Sequence, residues 1–328
     1  MTSRRLKTAI AASLLATAAM LPAAGLAAEM KIAIAQFGIH PQLDLVVSSF
    51  KDELAKAGYS EGDKVEFVEN QVNFDTSLIP QMVTKLQGES PKLMLTVTTP
   101  VSQGAKQILT GTGIPIIFSA VTDPVSASLV PAWDKAGEGI TGASDLQDID
   151  AVIAFTRRLF PDAKRLAFPY NPGEDNDIAQ LKLVQKFAPG HGFEVVELGI
   201  DNTNDIPIRV TSLAGKADVM YVPASNLLQP AVPAIAATAQ QIKLPIVNAS
   251  RAEVEKGLVP ASFEVDYSQV GRNAARLAMD YLGGKVIADI APVKPVYEDH
   301  SALINKAQMA VYGKEVPADL MDCGCFVE

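Results

Sequence analysis

Two short stretches with the same pattern decide the fold: IPIIFSA at residues 114–120 and LPIVNAS at residues 244–250. Each has a proline at its second position, continues as the short apolar run of a buried strand, and ends on small residues. A helical segment precedes each stretch, SQGAKQILTG at 102–111 and AVPAIAATAQQ at 231–241. The match predicts that the chain contains one structural unit twice.

The elements around these two strands repeat in the same order. Strands alternate with amphipathic helices in both halves, which is typical of parallel sheets covered by helices on both faces. The predicted strands lie at 31–38, 64–72, 93–100 and 114–124 in the first half, and at 165–173, 193–201, 217–225 and 244–250 in the second. The sequence therefore predicts an α/β fold with two similar lobes.

Ligands of open α/β sheets bind beyond the carboxyl ends of the strands, and this rule selects candidate residues. In the first half it selects Gln36 and Phe37, Thr98 and Thr99, and residues 119–123; in the second it selects Tyr170 and Asn171, residues 224–226, and residues 248–251. Two roles stay open for Asp123, which either faces the ligand or caps the turn at Asp-Pro. Phe37 and Tyr170 are suited either to stacking on a planar ligand or to closing the core.

Composition and motifs exclude several classes of function. The 328 residues are 48% hydrophobic and 20% charged, which is a globular composition long enough for about two domains. The net charge of −9 argues against nucleic acid as a partner. GEGITG at 137–142 resembles a dinucleotide-binding motif but lacks the preceding strand, and His40, His191 and His300 are isolated in sequence. We expect no cofactor, no metal and no catalytic site.

The amino terminus of the chain carries a signal of export. Residues 1–28 read as a cleaved signal peptide, with Arg4, Arg5 and Lys7 before an alanine-rich apolar run, although a membrane anchor is the alternative. Export implies the periplasm. Cys323 and Cys325 are either a short disulfide or two free thiols.

The chain resembles the type I periplasmic binding proteins of ABC transporters, in the branch that includes the tryptophan- and tyrosine-binding proteins. The motifs that carry the resemblance are IAQFGIHPQLD (34–44), IPIIFSAVTDPVSASLV (114–130), GITGASDL (139–146), YNPGEDN (170–176), NTND (202–205), SLAGKADVMYVPASN (212–226), LPIVNAS (244–250) and DYSQVGRNAARLA (266–278). The resemblance implies two Rossmann-like lobes joined by a three-segment hinge. It also implies a small-molecule ligand held between the lobes, hinge closure, and an ABC transporter permease as the membrane partner. We expect the protein to be a monomer.

Matching the family position by position gives the candidate ligand-binding set. Ser102 and Asn176 enter it only through the resemblance, and Arg251 enters as a departure from the family pattern. The set is Phe37, Thr99, Ser102, Ser119, Asp123, Tyr170, Asn171, Asn176, Ser225, Asn226, Ser250 and Arg251. The predicted lobes are residues 29–142 with 267–290, and residues 143–266 with 291–328.

Two departures from the family pattern bear on the ligand. Ser225 and Arg251 stand where relatives commonly carry acids. Fewer acids and one added guanidinium favour a carboxylate-bearing or planar neutral compound over an amino acid, although Asp123 keeps an amino acid open. The alternative for Arg251 is that its side chain points to solvent. A periplasmic ligand sensor and a small-molecule enzyme working in the same cleft are the alternative functions.

Overall fold

A computed structural model describes residues 30–327 of the chain, so the predicted signal peptide at 1–28 lies outside the described residues. Within this range the chain forms eleven strands and ten α-helices. The strands are β1 Met30–Gln36, β2 Val65–Gln71, β3 Leu93–Val97, β4 Ile116–Ser119, β5 Ile140–Ala143, β6 Arg165–Tyr170, β7 Glu194–Gly199, β8 Val219–Val222, β9 Ile246–Asn248, β10 Ala261–Val265 and β11 His300–Ile304. The helices are α1 Pro41–Lys56, α2 Ile79–Gly88, α3 Thr99–Leu109, α4 Ile149–Leu159, α5 Asp175–Phe187, α6 Ile206–Thr211, α7 Val232–Gln241, α8 Ala252–Glu255, α9 Tyr267–Leu282 and α10 Lys306–Val311.

The strands form two sheets with the same internal order. The first sheet runs β2-β1-β3-β4-β5 and is parallel throughout. The second runs β7-β6-β8-β9-β10 in parallel, with β11 added antiparallel to β10. The repeat predicted from the sequence and the α/β fold class are therefore confirmed. In this order the crevice for a ligand lies where β1 meets β3, and equally where β6 meets β8.

Helices cover both faces of each sheet because each strand carries apolar side chains to both sides. Two separate clusters of buried apolar residues lie on the faces of the first sheet, and two more lie on those of the second. We call the first sheet with its helices lobe one, and the second sheet with its helices lobe two. Each lobe has its own core, and a ligand between them leaves both cores undisturbed.

Helix α9 is late in sequence but packs in lobe one. Its residues Val270 and Ala274 share a buried cluster with Val46 and Phe50 of α1. The two helices approach closely at Gly271, where an added Cβ would lie 2.4 Å from the carbonyl oxygen of Val46. A side chain at position 271 would therefore push α1 away.

The chain passes between the lobes at three places within the described residues. It leaves lobe one after β5, returns from β10 into α9, and leaves again near Val293, whose N–H donates to the carbonyl of Gly142 at 2.9 Å. These positions support the predicted lobe limits, which we keep as a proposal with β5 extending lobe one to Ala143. Cys323 and Cys325 are joined by a disulfide. No helix between residues 30 and 327 is long and apolar enough to cross a membrane.

Candidate functional site

A cavity lies between the lobes at the carboxyl ends of both sheets. It has about 400 Å³ of empty space, part of it open to solvent. Its lining comes from the ends of β1, β3, β4 and β5, from the ends of β6 and β8, and from the start of α9. The lining residues are His40, Gln42, Leu43, Phe74, Thr98, Thr99, Ala120, Thr122, Asp145, Asn176, Ala224, Ser225, Asn226, Gln229, Pro230 and Tyr267.

The wall from lobe one is built around the start of α3. Thr98 caps this helix with φ of +91°, and Ala120 at the end of β4 has φ of +51°. Residues other than glycine adopt such angles at a cost of about 1–3 kcal/mol, and they concentrate at functional sites. The Oγ1 of Thr98 is buried and has no hydrogen-bond partner in the described part of the chain. Together with the N–H groups of Thr99 and Val101, between which Pro100 has none, it offers a partner to an anionic group.

The wall from lobe two is rich in amide and carboxylate groups. Glu174, at the start of α5, accepts hydrogen bonds from the side-chain amides of Asn171 at 2.9 Å, Asn176 at 3.2 Å and Asn226 at 2.7 Å. Asp177 is fully buried and accepts from the Asn176 Nδ2 at 2.9 Å and from the Asn171 N–H at 2.7 Å. Burial, and then the neighbouring Glu174, raises the pKa of Asp177 well above its usual value. Two carboxyl groups therefore lie directly behind Asn176.

A third acid, Asp145, lies where the chain first crosses between the lobes. Its carboxylate accepts from the Thr122 hydroxyl at 3.1 Å and from the Tyr267 hydroxyl at 2.8 Å. Burial raises its pKa, and the two hydroxyl donors oppose that shift. Thr122 belongs to lobe one, and Tyr267 is the first residue of α9. These bonds therefore connect the crossing segment at Asp145 to two residues that line the cavity.

Hydrogen bonds join the two lobes on either side of the cavity. Gln42 of α1 donates to the carbonyl of Ala249 after β9 at 3.0 Å, and its amide also lies 3.4 Å from Glu264 of β10. Gln103 of α3 donates to Asp175 of α5 at 2.7 Å. The lobes are thus in direct contact around the cavity.

Four of the predicted ligand-binding residues line this cavity: Thr99, Asn176, Ser225 and Asn226. The carboxyl-end rule found three of them, and the family resemblance found Asn176.

Three further predicted residues lie just behind the wall of lobe one. Ser119 is fully buried at the end of β4, with an Oγ that has no partner within residues 30–327. Ser102 bonds Thr96 at 2.8 Å and the carbonyl of Thr98 at 2.8 Å. Phe37 packs in the core against Phe74, which itself lines the cavity. Direct ligand contact by these residues stays a prediction.

The remaining predicted residues have other partners in the structure. The carboxylate of Asp123 accepts from the N–H groups of Val125 and Ser126, both at 3.0 Å, which confirms the capping alternative. In lobe two, Tyr170 stacks on Phe168.

Asn171 has its side chain bonded to Glu174 and to the N–H of Gly173. Neither Asn171 nor Tyr170 is among the cavity-lining residues. A ligand role for Asp123, Tyr170 and Asn171 stays a prediction.

Ser250 and Arg251 line a second cavity beside β10 and residues 298–301. The Arg251 guanidinium lies 2.9 Å from Glu255 and 3.9 Å from Glu264, with about half of the side chain exposed. Ser225 in turn has Asp177 behind it. The contacts of Arg251 and Ser225 therefore do not support the argument for an acid ligand.

Sequence reasoning missed Gln42, Asp145, Glu174 and Tyr267, whereas Thr122 lies within residues 119–123, which the carboxyl-end rule selected. The only signal for Asp145 and Tyr267 was their place in two segments predicted to cross between the lobes. His40 both caps α1 and lines the cavity, since its Nδ1 accepts from the N–H of Gln42 at 3.4 Å. Within residues 30–327, no cluster of three or more His, Cys, Asp and Glu side chains is arranged to hold a metal ion.

Comparison with known proteins gives the chain its family. The model of the ABC transporter substrate binding protein family matches residues 31–320. A tyrosine-binding protein of Clostridioides difficile (strain R20291) is 32% identical over 291 residues, which are 89% of this chain and 83% of that protein.

Two solved structures are similar to this chain, and their sequence identities to it are nearly equal. The first is an ABC domain from Streptococcus pneumonia in complex with L-Trp, with a TM-score of 0.83, 28% identity and coverage of 90% of this chain and 98% of that one. The second is a ligand-free, open substrate binding protein with adhesive properties from Clostridium difficile, with a TM-score of 0.68, 30% identity and coverage of 88% and 97%. The family match over most of the described residues, on two parallel α/β lobes that enclose a polar cavity, shows that the chain belongs to the ABC transporter substrate-binding proteins, which bind small ligands and work with membrane permeases.

Proposed function

We propose that this protein binds a zwitterionic α-amino acid, with an aromatic side chain, in the cavity between its lobes and presents it to an ABC transporter permease. The observation that carries the proposal is the opposite polarity of the two walls. The wall of lobe one offers donors at the start of α3, and the wall of lobe two offers oxygen acceptors backed by Glu174 and Asp177. An α-amino acid carries one group for each wall.

The α-carboxylate belongs at the start of α3 in this proposal. The first N–H groups of a helix have no partner inside the helix, and the helix dipole favours negative charge there. Thr98 adds a buried hydroxyl without a partner among the described residues, and Thr99 also lines the cavity. This placement of the α-carboxylate does not require a contact with Arg251.

The ammonium group belongs on the opposite side, near Asn176 and Ser225. Glu174 and Asp177 hold the Asn176 amide and leave its oxygen as an acceptor that an ammonium can satisfy. Phe74 supplies an aromatic surface within the same cavity. The names of the similar proteins, one tyrosine-binding and one in complex with L-Trp, support an aromatic amino acid.

Ligand binding is coupled to closure of the lobes in this mechanism. A ligand that contacts both walls binds the closed form more tightly than the open form, and so shifts the equilibrium toward closure. Two cross-lobe contacts, Gln42 with Ala249 and Gln103 with Asp175, support a closed arrangement here. So does the higher TM-score to the L-Trp complex than to the ligand-free, open protein.

Titration calorimetry on residues 29–328 tests the proposal. L-Tryptophan, L-tyrosine and L-phenylalanine are each compared with the acid that lacks the amino group. We expect at least one amino acid to bind about tenfold or more tightly than its deaminated acid, since a hydrogen bond to a charged group is worth about 1.5–3 kcal/mol. Tighter binding of the acids, or binding of neither, would overturn the proposal.

We also propose a cellular location and partners for the protein. It acts as a monomeric, non-enzymatic binding protein of the periplasm, without nucleic acid as a partner. The predicted signal peptide supports this location, and the absence of a metal-binding cluster within residues 30–327 gives no support to the enzyme alternative. A sensing role would use the same cavity, and loss of amino-acid uptake on deletion of the gene would distinguish transport from sensing.

A further inference from the structure

We propose that Asn176 selects the ammonium group of the ligand, and that Glu174 and Asp177 are positioning residues that hold the Asn176 amide with its oxygen toward the cavity. The inference rests on the proposed function, because it names the groups that would distinguish an amino acid from its deaminated acid.

The hydrogen bonds of Asn176 fix the orientation of its amide. The Nδ2 group has two hydrogens, and it donates to Glu174 Oε2 at 3.2 Å and to Asp177 Oδ1 at 2.9 Å. Rotating the amide by 180° would place its oxygen against two carboxylate oxygens and would lose both bonds. The amide therefore has one stable orientation.

In this orientation the Oδ1 of Asn176 remains available to a ligand. The side chain lines the cavity and is only 3% exposed, and its Oδ1 has no hydrogen-bond partner in the described chain. A buried acceptor without a partner costs about 1–3 kcal/mol, so it is rarely left without a function. An ammonium donates up to three hydrogen bonds and accepts none, so it satisfies this oxygen, whereas a carboxylate at the same place would be repelled.

Asn226 repeats the same arrangement and strengthens the argument. Its Nδ2 donates to Glu174 Oε2 at 2.7 Å, and its backbone N–H lies 3.4 Å from the same oxygen. Asn226 also lines the cavity. One buried carboxylate thus draws the nitrogen of two cavity-lining amides toward itself, which leaves the wall of lobe two with oxygens for the ligand.

Asp177 completes the support of the Asn176 amide. Asp177 is fully buried, and its carboxyl accepts from the Asn176 Nδ2 at 2.9 Å and from the Asn171 N–H at 2.7 Å. It acts through Asn176 instead of meeting the ligand directly. The selecting groups at the cavity surface are neutral amides, and the carboxyl groups that orient them lie one layer behind.

Calorimetry on isosteric variants tests this inference. The readout is the selectivity ratio, defined as Kd of indole-3-propionate divided by Kd of L-tryptophan, with L-tyrosine and 3-(4-hydroxyphenyl)propionate as a second pair. In Glu174→Gln the amide can donate toward Asn176, so the Asn176 amide is no longer held in one orientation. We expect the selectivity ratio to fall at least tenfold in Glu174→Gln and in Asn176→Ser, mainly through weaker binding of the amino acid.

Glu197→Gln is the matched control. Glu197 accepts from the Gln185 amide at 2.6 Å on the exposed side of lobe two, so it repeats the amide–carboxylate chemistry away from the cavity. Its selectivity ratio should equal that of the wild type. Thermal unfolding verifies that each variant is folded, and Asp177→Asn serves as the second positioning variant if Glu174→Gln does not fold.

Each outcome decides between a selecting and a merely structural role. Equal weakening of both ligands in Glu174→Gln and Asn176→Ser, with an unchanged ratio, would overturn the inference while leaving the proposed function in place. Wild-type protein that binds neither member of either pair would overturn both. A ratio that falls only in the variants near the cavity supports Asn176 as the selecting residue.

Discussion

Gln103 and Asp175 join the two lobes through a hydrogen bond of 2.7 Å between the side-chain amide of α3 and the carboxylate at the start of α5. The two residues lie 72 positions apart in sequence and belong to different lobes. Opening of the hinge would separate them. We therefore expect the contact to act as a latch on the closed form.

Removing this latch should favour the open form. In Gln103→Ala we expect a larger radius of gyration without ligand, measured by small-angle X-ray scattering. We also expect about two- to fivefold weaker ligand binding, because one exposed hydrogen bond is worth about 0.5–1 kcal/mol. Gln185→Ala, which breaks the similar pair with Glu197 inside lobe two, is the control and should leave both measurements unchanged.

Glu264 should make the stability of the protein depend on pH. Burial raises the pKa of this β10 carboxyl from 4.5 to about 7; the Arg251 N–H and charge oppose the shift, and Glu255 and Asp266 add to it. A raised pKa of an acid means that the folded state holds the proton more tightly than the unfolded state does. The contribution of Glu264 to stability is therefore present below about pH 4.5 and is lost as the pH rises toward about 7.

Glu264→Gln isolates this effect from the other buried acids. The free energy of unfolding of the variant, relative to wild type, should rise by about 3 kcal/mol between pH 4.5 and pH 8, measured by urea unfolding. A difference that stays constant over this range would mean that Glu264 titrates normally in the folded protein.

The hydroxyl of Thr98 should contribute to ligand binding and not to folding. Thr98→Val keeps the shape of the side chain but removes the buried Oγ1, which has no partner among the described residues. We expect about tenfold weaker binding of the ligand carboxylate and little change in melting temperature. Thr98→Ser keeps the hydroxyl and should bind within about threefold of wild type; equal losses in both variants would contradict the assignment.

The contact between α1 and α9 should tolerate no side chain at position 271. In Gly271→Ala the new Cβ would meet the Val46 carbonyl at 2.4 Å and the Ser49 Cβ at 3.1 Å, so the helices must separate. We expect a loss of about 1–3 kcal/mol in the free energy of unfolding. Gly88→Ala at the end of α2 is the control, because its Cβ would meet nothing within 4 Å and the change should be neutral or stabilising.

The sequence predicts the fold better than it predicts the site, for a physical reason. Strand and helix periodicity is local, and the two proline-led strands reveal a repeat that the sheet order confirms. The carboxyl-end rule then locates Thr99, Ser225 and Asn226. Whether a side chain at a strand end faces the cavity or the core depends on its neighbours, and so Phe37 lies behind Phe74.

The polarity of the site could not be predicted from single positions. Ser225 suggested a missing acid, yet Glu174 and Asp177 place two carboxyl groups behind Asn176, which lines the same cavity. Arg251 suggested an added cation at the ligand, yet Glu255 and Glu264 pair with it beside a second cavity. Charges that compensate one another across elements are visible only once the chain is folded.

The placement of α9 on α1 has a consequence for the order in which the protein acquires its structure. Glu53 of α1 and Arg276 of α9, which lie side by side in lobe one, are 223 residues apart along the chain. A growing or translocating polypeptide therefore holds the apolar face of α1 uncovered while all of β6 to β10 is still emerging. We therefore expect lobe one to complete its folding only after α9 has emerged, so that the amino-terminal half stays exposed longer and has the greater need of a chaperone.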